Sequence, residues 1–150
     1  RRFNFEHIDP ISDRNAEIAL VESKTKQALE EAAAPGAVDQ VVVDTLVTIF
    51  RDLRRGVTHE GWSVEKPGSI MSTAEAVAIS SSIALSTSYF PHGPSALQLI
   101  PGHLLGAVRK DDDKDAGRLQ AYWDAVIRRR TQTDESGTWR TLWEAREDVH

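Results

Sequence analysis

Few residues in this chain combine type and spacing in a way that suggests chemistry. Gly56-Val-Thr-His-Glu-Gly61-Trp62-Ser63 has the spacing of a phosphate-binding loop, G-x-x-x-x-G-K-[ST]. Trp62 stands where the phosphate-meeting lysine belongs, and the context predicts a helix before the stretch instead of a strand. The stretch is therefore read as a loop, with a small hairpin around Glu60-Gly61. Asp111-Asp112-Asp113-Lys114-Asp115 invites a calcium reading, but an EF-hand from Asp111 needs Gly at 116 and Glu at 122. The chain has Ala116 and Tyr122 there, so the acids read as a solvated loop at the positive end of a following helix. The five His (7, 59, 92, 103 and 150) show no ligand spacing, and no G-x-S-x-G elbow exists, so neither a metal site nor an independent hydrolase is indicated. Arg54-Arg55 and Arg128-Arg129-Arg130 end predicted helices, where the dipole favours cations. Arg1 and Arg2 precede a short strand pattern, a place where an arginine is either a surface cation or a finger for transferring phosphate.

The elements that must position these residues are helical. Pro-Gly pairs at 35–36, 67–68 and 101–102 divide the chain, which has 150 residues, 40% hydrophobic and 27% charged. One helix is predicted from about Asp13 to Ala34, with Ile18, Val21, Thr25, Ala28, Leu29 and Ala32 as its stripe. A second runs from Val38 to Arg55, with Gly56 as its C-terminal cap. Ser72-Thr73-Ala74-Glu75 is a capping box that opens a third helix, and Ala76 to Phe90 carries no charge, so this helix is expected to be central and enclosed. A short turn or helix is read over Ser95 to Ile100, and Pro101 is read as the first residue of a separate fourth helix, with Leu104, Leu105 and Val108 inward. A fifth spans Asp115 to Arg130 on Leu119, Tyr122, Trp123, Val126 and Ile127. Trp139, Leu142 and Trp143 mark a short last helix, read as packing on the helical body. Only Phe3 to Ile8 alternates like a strand, which reads as one strand of a sheet lying upstream in a longer protein.

Composition excludes several classes. A net charge of −5 argues against a nucleic-acid grip. The absence of Cys excludes disulfides and thiolate metal sites and fits a reducing cytoplasm. Residues 76 to 108 lack Asp, Glu, Lys and Arg, but prolines, glycines and six Ser or Thr within 80 to 88 argue against a membrane span.

Two segments together resemble one family. Arg1-Arg2-Phe3-Asn4-Phe5-Glu6-His7-Ile8-Asp9-Pro10 resembles the end of the ATPase core in MoxR-like AAA+ proteins, where an R-R-F-N-F-E segment enters the last core strand. Pro67-Gly68-Ser69-Ile70-Met71-Ser72-Thr73-Ala74-Glu75-Ala76 is similar to the P-S-x-x-L-S-T-A-E-A stretch of a bacterial subgroup. The likeness covers residues 1 to about 130. It implies an all-α fold: residues 1–10 would be the last strand of an N-terminal AAA+ core, 11–131 a helical-bundle lid domain, and 132–150 a C-terminal tail with a short helix.

The resemblance also implies ATP and Mg in the intact protein and a homo-oligomer, a hexameric ring, that remodels other proteins. A von Willebrand A-type protein is the implied partner, with no nucleic acid or membrane. Arg2, or Arg1 behind it, would be an arginine finger acting in trans on a neighbouring subunit. Ser72, Thr73 and Glu75 fall where relatives place a sensor arginine, so they are the implied nucleotide-side residues of the lid. Without Walker A and Walker B elements these 150 residues alone are expected to bind no cofactor and to hydrolyse nothing. The competing reading is a stand-alone helical interaction module using Trp139 and Trp143, or the surface from Tyr89 to Pro94.

Overall fold

The computed structural model describes residues 13–68, 72–109 and 113–149. Arg1, Arg2 and the strand pattern at 3–8 lie outside the described residues. Asp13 caps α1 (Arg14–Glu31) by accepting the Asn15 N–H, and Asp39 does the same for α2 (Gln40–Arg55) through the Val41 N–H. Gly56 ends α2 in the left-handed region, at φ 76°, and its N–H bonds the Asp52 carbonyl. This is the cap the sequence predicts. A hairpin follows: Val57 bridges Ser63, and the Thr58 N–H donates to the Trp62 carbonyl at 2.9 Å. The phosphate-loop spacing is thus the geometry of a turn.

The capping serine of α3 (Thr73–Tyr89) is Ser72, whose hydroxyl accepts the Glu75 N–H at 3.1 Å. This helix is less enclosed than its lack of charge suggests. Only Ala76, Ile79, Ser80 and Ile83 are buried. Its hydroxyls absorb the polarity that charges supply elsewhere, as where Thr87 and Ser88 both donate to the Ala84 carbonyl. The most enclosed helix is α2, which buries Leu46, Val47, Ile49 and Phe50 completely. The connection from α1 to α2 comes so close to α3 that a Cβ on Gly36 would lie 2.1 Å from the Ser88 Oγ.

Pro101 does not start a helix. It lies inside α4 (Ala96–Arg109). A mid-helix proline costs about 3 kcal/mol. Ile100, Leu104 and Val108, on one face either side of it, are all but fully buried and outweigh that cost. The fifth helix, α5 (Asp113–Tyr122), begins two residues earlier than expected. It continues through a π-helical stretch, Trp123–Ile127, into the single turn α6 (Arg128–Arg130). Leu119, Tyr122, Trp123, Val126 and Ile127 are all buried, as their pattern predicts. The last helix, α7 (Thr138–Glu144), packs on the same core, with Leu142 fully buried and Val149 nearly so. Among the described residues the chain is all-helical apart from the one bridge, and no helix is long and apolar enough to cross a membrane.

Candidate functional site

The N-terminus of α3, where Ser72, Thr73 and Glu75 meet, is built around a carboxylate from a different helix. Glu17, in the first turn of α1, has a fully buried side chain. It receives Arg54 Nη2 at 2.9 Å and Arg54 Nη1 at 3.2 Å, Arg51 Nη1 at 3.2 Å, and the Thr73 hydroxyl at 2.9 Å. Burial alone would raise its pKa, but the bonds from Arg54, Thr73 and Arg51 and the charge of Arg54 hold it below the ordinary value. One carboxylate thereby clamps α1, α2 and α3 together. The Ser72 and Thr73 hydroxyls are engaged in capping and in this clamp. Phosphate contact at this end of α3 would fall to the Thr73 and Ala74 N–H groups, since the Glu75 N–H is taken by Ser72.

A second polar node joins α2, the hairpin and the last helices. Arg130 is buried and forms a fork on Glu60, Nε to Oε2 and Nη2 to Oε1, both at 2.9 Å. Its Nη2 also meets Asp52 Oδ2 at 2.9 Å, and the Tyr122 hydroxyl donates to the same oxygen at 2.7 Å. The Arg130 bond pulls Glu60 down to about 2. Burial pushes Asp52 the other way, against the pull of Arg130. The arginines of α6 also find aromatic faces: Arg129 lies 3.9 Å from the ring centre of Trp62, Arg130 4.6 Å from Trp139, and Arg128 5.9 Å from Trp143. Arg146 covers Trp143 at 4.4 Å as well. The helix-dipole account of this arginine run is therefore incomplete, because each arginine also covers an indole ring, of the hairpin for Arg129 and of the C-terminal segment for Arg128 and Arg130. Trp139 and Trp143 belong to the packed body, and Trp123 ties the same segment by donating its indole N–H to the Leu142 carbonyl at 3.0 Å.

Asp115 corrects the expectation of a solvated acidic loop. It is fully buried, accepting the Gly68 N–H at 2.8 Å and Arg118 Nη1 at 2.6 Å. No group of three or more His, Asp or Glu is placed to hold a metal among the described residues. The residues missed by sequence reasoning are Glu17 and Asp52. Both sit within otherwise apolar buried stripes, Glu17 one turn before Val21 and Asp52 beside Leu53, and a charge at such a position is the signal that marks them.

The chain matches the family of YehL-like AAA+ ATPase C-terminal domains over residues 15–150. It is 30% identical over 146 residues to the uncharacterized protein YehL of Escherichia coli (strain K12), covering 97% of this chain. The chain spans 39% of the length of that relative. No solved structure matches it.

Proposed function

The chain belongs to the YehL-like AAA+ ATPase C-terminal domains, and from that membership we propose that it is the lid of an ATP-hydrolysing, MoxR-like protein that remodels protein partners. The observation that carries this reading is the family match, which takes in every described helix but for Arg14, the first residue of α1. In the intact protein, ATP with Mg supplies the phosphoryl-transfer chemistry, which depends mainly on positioning and charge stabilisation. This chain's own contribution is a rigid cover. Glu17 sits in the first turn of α1, so a displacement of the segment before Arg14 is passed at once to α2 and α3 through Arg51, Arg54 and Thr73. The N-terminus of α3, with Ser72, Thr73 and Glu75, then moves as part of one body. Arg2, with Arg1 as its substitute, serves as the finger on the neighbouring subunit of a hexameric ring. The protein works in the cytoplasm, with a von Willebrand A-type partner.

The test is made on the full-length protein. It is expected to hydrolyse ATP, and Arg2→Ala is expected to lower turnover by about 10³-fold, the low end of the effect of an arginine finger. Normal turnover in that variant removes the finger, and no ATP hydrolysis by the full-length protein removes the proposal itself.

A further inference from the structure

We propose that the cleft between the start of α1 and the second half of α2 binds an oligophosphate group, at a site separate from Ser72, Thr73 and Glu75. The cleft is open and encloses about 560 Å³, within the ~300–1,000 Å³ usual for small-ligand sites. Thr48, Arg51, Asp52 and Arg55 line it at i, i+3, i+4 and i+7, so they share one face of α2. Arg14 faces them from α1, and His59 from the hairpin.

Three guanidinium groups thus converge on one concave surface of a chain whose net charge is −5. Arg51 is paired with Glu17. Arg14 and Arg55 are exposed and form no ion pair among the described residues. Arg14 is held in place by two bonds to the Thr48 hydroxyl, at 2.8 and 3.3 Å. The carboxylate that lines the cleft, Asp52, is engaged by Tyr122 and Arg130.

The helix dipole accounts for Arg55, which lies in the last turn of α2, but not for Arg14. Arg14 is the first residue of α1, at the positive end of that helix, where a cation is disfavoured. A cation held there by a side-chain bond, opposite two more cations, is arranged for an anion. Guanidinium groups match phosphate oxygens two at a time. Glu17 balances Arg51, which leaves Arg14 and Arg55 as the cations for which a di- or triphosphate supplies the required charge. Free polyphosphate and a nucleotide both carry that group.

Calorimetric titration of the 150-residue chain with sodium tripolyphosphate, ATP and adenosine tests the site. Tripolyphosphate is expected to bind saturably, one per chain, and more weakly as salt rises. Arg14→Ala and Arg55→Ala are each expected to weaken binding about tenfold, the loss of one charged hydrogen bond. Lys24→Ala, an exposed change elsewhere on α1, leaves it unchanged. Tighter binding of ATP than of tripolyphosphate identifies the nucleotide as the source, and weaker binding identifies free polyphosphate. Absence of saturable tripolyphosphate binding at low salt, or binding indifferent to both arginine changes, overturns the proposal. Because the readout is binding by this chain, its failure is distinct from a failure of ATP hydrolysis by the full-length protein.

Discussion

At the scale of single residues, carboxylates organise the molecule, and Glu17 and Glu60 each make a measurable demand. Glu17 balances Arg51 and Arg54, whose side chains are 14% and 18% exposed. Glu17→Gln keeps the shape and removes the charge that these two largely buried cations share. Removing one partner of a buried pair costs ~3–5 kcal/mol. Urea unfolding of this variant is expected to show a loss near the lower bound, and a loss below about 1 kcal/mol would show that water already screens the clamp. Glu60 makes a prediction about pH. Its folded pKa, about 2, lies below the ordinary 4.5. The stabilisation from its ionised form is therefore fully present above pH 4.5 and is lost as pH falls toward 2. Asp52 has the opposite sign: its pKa is raised, so protonating it in acid relieves a cost instead of adding one. Urea midpoints at pH 5 and pH 3 separate these effects. The wild-type chain should lose more stability between them than Glu60→Gln, and equal losses would assign the acid sensitivity to other groups.

Elements are governed by local rules except where tertiary burial overrides them. The end of α1 follows a local rule at a cost: Ala33 takes φ 54°, allowing the Ala34 N–H to reach the Leu29 carbonyl at 3.0 Å. A left-handed conformation costs a residue with a Cβ ~1–2 kcal/mol, which exceeds the extra chain entropy of glycine. Ala33→Gly is therefore expected to stabilise the chain by about 0.5–1 kcal/mol, visible as a rise in melting temperature. A fall would mean that this turn is held by contacts of the methyl group. The same division explains what the sequence revealed. The Ser72 cap, the Gly56 cap and the turn at Glu60-Gly61 were legible because each is fixed by residues within a few positions of one another. Pro101 was misread because its local preference for a helix start is outweighed by the burial of Ile100 and Leu104 on either side. The arginine–tryptophan contacts and the Glu17 clamp were not legible. They join positions 62 and 129, or 17 and 54, which are brought together only by the packed fold. The AAA+ assignment came from residues outside the described structure together with the capping box of α3, and the match over residues 15–150 supports it at the level of a C-terminal ATPase domain.

For the molecule as a whole, the arrangement requires that the segment after α6 fold with the rest. Leu142 and Val149 belong to the same core as Phe50 and Leu104. Arg130 is the cross-brace, since one guanidinium holds Asp52 of α2, Glu60 of the hairpin and the Trp139 ring of α7. If the domain moves as one body, as proposed, no part of it should unfold on its own below the global transition. Two of the four tryptophans lie in this last segment, so fluorescence reports on it, while far-UV circular dichroism is dominated by the long helices α1 to α4. The two probes are expected to give coincident urea transitions in the wild-type chain, as a cooperative domain requires. Arg130→Ala leaves Asp52 and Glu60 without their cation and Trp139 without its cover. In that variant the fluorescence transition should move to lower urea than the dichroism transition, because the segment loses its brace while α1 to α4 keep the Glu17 clamp. Separate transitions in the wild-type chain would mean that the segment after α6 is an appendage with its own stability. Coincident transitions in the variant would place the coupling in the apolar contacts of Leu142 and Trp123 instead of in the arginine.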